Sequence, residues 1–242
     1  MTNPKERYDL ICSLGGNCSA AHNLKFRNMR YYSLPFDRCY VTDEAPFRYL
    51  SKGFQNNFSD FFLKENLIQQ EGNIHHPIIY RDSVSLYFFP HHLKATLDTP
   101  GSYESAASKM QRRIGRLLKK MKEAQSILFI LATAFCFDIE CIRELSATLN
   151  KLYPDKNIQF KVLQFDSPLP NSEEHLENIH LMRFSRLQNN YDFYKTNFEW
   201  AFLDSIEISS AGKKKNKWTL LSVKAFDHVM KLEFSFRPTN GS

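Results

Sequence analysis

Glycine, long apolar stretches and membrane-targeting segments are scarce or missing in this sequence. Only 8 of its 242 residues are glycine, so each glycine marks a place where the backbone has a special requirement. The longest apolar run, residues 127–137, is too short to span a bilayer. The first ten residues contain no apolar stretch typical of a signal peptide. We therefore expect a cytoplasmic protein without a transmembrane segment.

The five cysteines exclude two further classes of protein. Their number is odd and none of them shows a C-x-x-C spacing, which argues against a disulfide framework and against a structural zinc site. Cys12, Cys136 and Cys141 lie in apolar segments, as buried thiols do. This usage of cysteine suits a reducing compartment.

Histidine pairs offer a weak case for a metal. His75–His76 and His91–His92 are adjacent in the sequence, and neighbours on an extended chain point to opposite faces, so each pair would supply one ligand. No acidic or cysteine partner accompanies them, and no motif surrounds His175, His180 or His228. We expect neither a metal nor a cofactor.

The net charge of +6 is mildly basic, and part of the excess lies in one run of lysines at residues 213–217. Such a run is typical of a solvated loop, and contact with an anionic surface is the alternative. No RNA-binding or DNA-binding motif accompanies it. We expect no nucleic-acid partner, and the sequence does not indicate an oligomeric state.

Apolar periodicity predicts alternating strands and helices. Strands are expected at residues 8–14, 78–80, 84–89, 126–132, 157–165, 179–184, 218–223 and 229–236. Helices are expected at residues 18–27, 56–63, 102–123, 138–152 and 191–206, and from Asp43 as N-cap to residue 50. The phenylalanines of residues 54–62 are expected in the core, with an aromatic partner-binding surface as the alternative.

This order predicts the fold class. We expect a three-layer α/β protein whose mostly parallel or mixed sheet is covered by helices on both faces. No repeat, low-complexity segment or domain linker interrupts the sequence, so we expect a single α/β domain over residues 1–242.

One candidate chemical centre follows the first strand, at Gly15, Gly16, Asn17 and Cys18. A buried strand enters a glycine turn, and a helix begins near Cys18 with Ala20, Ala21, Leu24 and Phe26 on its inner face. Amides at a helix N-terminus carry partial positive charge, which favours the thiolate form of a cysteine there. A thiolate is a nucleophile, and nearby amides can stabilise an oxyanion. The same turn could instead bind phosphate, or could simply be a turn.

A cysteine nucleophile needs a base, and three histidines are candidates. His22 lies one helical turn after Cys18, which places both on one face of the helix. His91 and His92 follow the strand predicted at residues 84–89, and strand ends commonly present catalytic side chains. The pattern alone leaves this choice open.

The sequence resembles a bacterial family described as papain-like cysteine peptidases. The resemblance rests on four short motifs in the family's order: Ser13-Leu14-Gly15 with Cys18, Pro35-Phe36-Asp37, Phe89-Pro90-His91, and Arg112-Arg113. It covers residues 8–132. Two positions depart from the pattern, because Arg38 stands where the family has Trp and His92 where it usually has Asp.

The resemblance implies a cysteine-dependent hydrolase or acyltransferase acting on a peptide or acyl substrate. It implies Cys18 as nucleophile, His91 as base and Asp37 as an orienting or binding residue. Substrate-binding residues are then expected at Gly15, Gly16, Asn17, His92, Arg112 and Arg113. It also leaves an α+β papain-like fold as the alternative architecture.

A non-hydrolytic function is the second hypothesis. In it, the turn at Gly15–Cys18 holds a phosphate or nucleotide-sugar, and Arg112 or Arg113 neutralises its charge. The resemblance links such a module to surface-glycan biosynthesis, with a glycan-linked substrate. The third hypothesis is a partner-binding protein without chemistry.

Overall fold

A computed structural model describes residues 5–167, 171–185 and 200–209. Its strands are β1 Glu6–Tyr8, β2 Leu10–Ser13, β3 Leu67–Gln70, β4 Ile79–Asp82, β5 Ser126–Thr133, β6 Asn157–Ser167, β7 Ser172–Leu176, β8 Ile179–Ser185 and β9 Ile206–Ile208. Its α-helices are α1 Ser19–Phe26, α2 Ala45–Gln55, α3 Ser102–Glu123 and α4 Glu140–Leu152. Short 3-10 helices cover Lys64–Asn66 and Ala201–Ser205.

The central sheet has five strands in the order β2-β5-β6-β8-β7. The first four run parallel, and β7 pairs antiparallel with β8 at the edge. Two smaller pairs lie beside it, β1 parallel to β9 and β3 antiparallel to β4. The mostly parallel sheet confirms the predicted α/β class and not the α+β alternative.

Apolar side chains cover both faces of this sheet. Alternate residues of β5, such as Phe129, pack in one hydrophobic cluster with α2, α3 and α4. The residues between them, such as Ile130, pack in a second cluster with α1 and Trp200. A strand buried on both faces has to be apolar throughout, which explains the sequence of β5. The expected three-layer arrangement is confirmed.

Strong helical periodicity predicted α3 correctly, with the expected buried face of Ala106, Met110, Ile114, Leu117 and Met121. The helix α4 begins at Glu140, two residues later than predicted, because the Asp138 carboxylate accepts the Glu140 N–H at 3.0 Å. The N-cap of α2 is Glu44 and not the predicted Asp43, although the Asp43 carboxylate accepts the Ala45 N–H at 2.9 Å, and the helix continues to Gln55.

Two predicted elements are wrong. Residues 56–63 form successive turns instead of a helix, because Asn57, Phe58 and Phe62 adopt left-handed backbone angles. The phenylalanines of this segment are buried, as expected for core. Residues 84–89 are not a strand, because the Asp82 carboxylate accepts the N–H groups of Val84 and Ser85 and folds the chain into a turn.

Three predicted burials also fail. Phe26 is 73% exposed and Leu152 is 41% exposed. Each is the last residue of its helix, α1 for Phe26 and α4 for Leu152, and the helix does not continue past it to bury the side chain. Cys136 is exposed, whereas Cys12 and Cys141 are buried as predicted.

Several predictions lie outside the described residues. These are most of the helix at 191–206, the strands at 218–223 and 229–236, and the lysine run at 213–217. The single domain over residues 1–242 also stays a prediction. No helix in the described ranges is both long and apolar enough to cross a membrane.

Candidate active site

The glycine turn after β2 is held against the carboxyl end of β5. Gly15 and Gly16 have φ of 84° and 90°, in the left-handed region that other residues avoid. A Cβ on Gly16 would lie 2.1 Å from the Ala132 carbonyl oxygen. The turn therefore needs glycine at Gly16 both for its backbone angle and for the close approach of the two chains.

Cys18 is the N-cap of α1 and is partly exposed. Its carbonyl accepts the N–H of His22, and the thiol therefore stands at the positive end of the helix. The neighbouring Asn17 is fixed, because its Oδ1 accepts the Ser19 N–H at 2.8 Å. Within the described part of the chain, the buried Nδ2 of Asn17 has no hydrogen-bond partner. The residue before Cys18 thus has one amide donor unused.

A second segment, residues 34–41, wraps around the glycine turn. The Val41 N–H donates to the Gly16 carbonyl at 3.1 Å. A Cβ on Gly15 would lie 3.3 Å from the Phe36 carbonyl oxygen and 3.2 Å from the Tyr87 ring. The Tyr87 hydroxyl donates to the Leu14 carbonyl at 2.9 Å. The motif around Pro35–Asp37 is therefore in contact with the turn that precedes Cys18.

Asp37 is buried and forms an ion pair with Arg30, whose Nη2 lies 2.6 Å from Oδ2. The same oxygen accepts the Arg30 Nε–H and the Leu34 N–H, each at 2.8 Å. Burial raises the pKa of Asp37, while Arg30 and the Leu34 amide act in the opposite direction. Nothing in the linear pattern ties Arg30 to Asp37, so this ion pair could not be predicted from the sequence.

The two arginines of the predicted pair on α3 have different surroundings. Arg113 is half-buried, and burial lowers the pKa of its guanidinium although Asp37 nearby raises it. Arg112 is exposed. Arg116, one helical turn after Arg113, donates to the Ser33 carbonyl at 2.7 Å. The spacing of Arg113 and Arg116 was the available signal that they share one face.

His91 and His92 differ as well. His91 is exposed, and its ring contacts the edge of the His76 ring with centroids 4.4 Å apart. Partial burial lowers its pKa, and His76 and Arg38 add to the effect. No third histidine, cysteine or carboxylate of the described residues completes a metal group with His76 and His91.

His92 lies between aromatic rings, with its centroid 5.2 Å from Phe89 and 6.1 Å from Phe62. Its side chain is partly exposed, yet both ring nitrogens are buried without a hydrogen-bond partner among the described residues. Burial, assisted by Arg113, lowers its pKa to about 3. The ring is therefore neutral at physiological pH.

Replacing His92 by phenylalanine should reduce the amount by which the free energy of unfolding falls at acid pH. An unfolded chain protonates His92 near pH 6.5, whereas the folded chain does so only at about 3. The wild type therefore loses about 1.4 kcal/mol of stability per pH unit from this residue as the pH falls below 6.5. Urea unfolding at pH 7.5 and pH 4.5 measures the difference. If the wild type, His92→Phe and His92→Gln all lose the same free energy of unfolding between the two pH values, the low pKa of His92 is contradicted.

Several of the predicted site residues are electrostatic neighbours of one another. Cys39, whose pKa is raised by burial, has both Arg113 and Cys18 among its electrostatic neighbours. Arg113 is in turn a neighbour of Asp37 and of His92. Asp37, Cys39 and His92 are thereby all neighbours of Arg113 on α3, and the link from Cys39 to Cys18 connects them with the glycine turn.

Residues 9–163 match the family described as "putative papain-like cysteine peptidase (DUF1796)". This range is more than half of the 242 residues. The chain belongs to that family. The expected resemblance is confirmed. The residues that match the papain-like peptidase family include every predicted site residue and most of β6. No curated protein and no solved structure matched the chain.

Proposed function

We propose that this papain-like family member is a cysteine-dependent hydrolase or acyltransferase with Cys18 as its nucleophile. The observation that carries the proposal is the position of Cys18: a partly exposed thiol at the head of α1, at the carboxyl end of a parallel sheet. Active sites of open parallel sheets lie at that edge. The proposed location remains the cytoplasm.

The proposed reaction begins with attack of the Cys18 sulfur on a peptide or acyl carbonyl. Backbone amides of the turn would stabilise the oxyanion. His91 takes the proton of the Cys18 thiol and gives it to the leaving amine or alcohol, and the acyl group stays on sulfur as a thioester. Water or another acceptor then gives up a proton, attacks the thioester and releases the thiolate.

In this proposal His91 transfers the protons. Its lowered pKa keeps the imidazole neutral near pH 7, which is the form that accepts a proton. Asp37 has a positioning role, because its carboxylate is engaged by Arg30 and the Leu34 amide and thereby orders the segment against the glycine turn. His92, whose pKa is about 3, is a weak base and belongs to the wall of the site.

Iodoacetamide labelling compares Cys18 with a matched thiol. Of the five cysteines, Cys136 is exposed and Cys18 partly exposed, whereas Cys12, Cys39 and Cys141 are buried. If the helix head favours the thiolate, Cys18 should react at pH 7 at least about tenfold faster than Cys136 despite its lower exposure. Peptide mapping by mass spectrometry over a time course measures both rates. Faster labelling of Cys136 would contradict an activated Cys18.

The phosphate- or nucleotide-sugar-binding module is the second candidate, supported by an excess of positive charge. Arg30 and Arg38 are both electrostatic neighbours of Arg113, and Asp37 is the carboxylate among those neighbours. An anionic ligand would balance this excess. A thermal shift induced by phosphate or UDP-glucose that persists in Cys18→Ala, in a protein without esterase activity, would favour this function over hydrolysis.

A further inference from the structure

The hairpin of β7 and β8 carries three side chains with metal-binding atoms at the edge of the central sheet. His175 and His180 are directly opposite each other in the antiparallel register. Glu173 lies two residues before His175, and side chains two apart on a strand share a face. Glu173, His175 and His180 therefore project from the same side of the hairpin.

The ligand atoms of these side chains are already close together. The Nε2 of His180 lies 3.1 Å from Oε2 of Glu173, and the two imidazole rings stack with centroids 4.1 Å apart. One nitrogen or oxygen from each residue lies within 4.8 Å of those from the other two. Bonds to zinc of about 2.0–2.2 Å place neighbouring ligands about 3.3 Å apart in a tetrahedron. Small rotations of exposed side chains would close the remaining gap.

We propose that Glu173, His175 and His180 bind a divalent transition-metal ion such as Zn²⁺. Two imidazoles and one carboxylate favour zinc, copper or nickel over calcium and magnesium, which prefer oxygen ligands. Three protein ligands leave a fourth position for water. The ion would link β7 to β8 at the sheet edge. The site does not depend on the chemistry proposed for Cys18, since β5 and β6 lie between β8 and β2.

Lys161 is the positive group that faces this site, with its Nζ 3.2 Å from Nδ1 of His180. When Nε2 binds a metal, Nδ1 carries the ring proton and can no longer accept a hydrogen bond from the ammonium. Lys161 then has to turn away, and the Glu6 carboxylate, 3.9 Å from its Nζ, is the partner available to it. Metal binding thus exchanges one contact of Lys161 for another.

Calorimetric titration of the tag-free chain with ZnCl₂ tests the site. We expect one ion per chain at this site and an affinity at least about tenfold lower in His175→Gln and in Glu173→Gln, each of which removes one ligand. His75→Gln, which changes an exposed histidine of another loop, is the matched control and should bind as the wild type does.

A thermal shift separates binding at the hairpin from binding by thiols elsewhere. Zinc should raise the melting temperature of the wild type and of His75→Gln, because an ion that binds the folded state stabilises it. The increase should be lost in His175→Gln and Glu173→Gln, both of which alter exposed side chains. The proposal is overturned if the wild type binds no zinc, or if all four proteins bind it with one affinity.

Discussion

Cys18→Ala should lower the rate of acyl transfer by about 10³-fold or more, because a nucleophile that forms a covalent intermediate has no substitute in the site. Cys18 is partly exposed at the N-cap of α1, and the change to alanine removes one sulfur atom there, so the fold should stay intact. Hydrolysis of p-nitrophenyl acetate, and of a pool of fluorogenic peptides, measures the rate. Circular dichroism verifies the fold.

Cys136→Ala is the matched control for this experiment, because it removes an exposed thiol of the same chain. It should retain the wild-type rate. His91→Ala should fall between the two, since general base catalysis contributes about 10²–10⁴-fold. Equal rates for the wild type and Cys18→Ala would contradict the proposed function and leave the anion-binding module as the better candidate.

Gly16→Ala should lower the free energy of unfolding by about 3–5 kcal/mol. This figure adds the cost of a left-handed backbone angle in alanine to the cost of overpacking. The new Cβ would meet the Ala132 carbonyl oxygen at 2.1 Å and the Thr133 methyl at 3.2 Å, and the backbone carbonyl cannot rotate aside as a long side chain can. Either β2 separates from β5 or the turn rebuilds. For a chain of this size, we expect the melting temperature to fall by about 10 °C.

Alanine substitutions at two other glycines separate the cost of the backbone angle from the cost of overpacking. Gly101 also has a left-handed φ of 75°, but a Cβ there would meet no atom within 4 Å. Gly101→Ala should therefore show the backbone cost alone, about 1–2 kcal/mol. Gly115 is exposed inside α3 with open space around it, so Gly115→Ala should stabilise by about 0.5–1 kcal/mol. If Gly16→Ala costs no more than Gly101→Ala, the close approach to β5 is unimportant.

The parts of the fold that the sequence predicted are those whose burial repeats with a simple period. The helix α3 shows one apolar stripe, and β5 is apolar throughout because both of its faces are covered. Such patterns follow from the geometry of a single helix or strand, so they can be recognised without knowing which elements pack against it. The glycine turn before Cys18 could be predicted for a related reason, since Gly15 and Gly16 stand out in a chain with few glycines.

Contacts between distant residues escaped prediction. The helix predicted at 56–63 does not form, because Phe58 and Phe62 take left-handed backbone angles and are buried in the core. The ion pair of Asp37 with Arg30 likewise depends on how the chain folds back. His175 and His180 become neighbours through the turn at Glu177, whose φ is 54° without the usual glycine.

The pairing of β2 with β5 also determines when the turn before Cys18 can form during synthesis. The Leu14 N–H donates to the Ile130 carbonyl, and Gly16 rests on Ala132, more than a hundred residues later in the chain. A nascent polypeptide that ends within α3 has made Cys18 but not the strand that shapes its turn. The turn can therefore take its native contacts only once β5 has emerged from the ribosome.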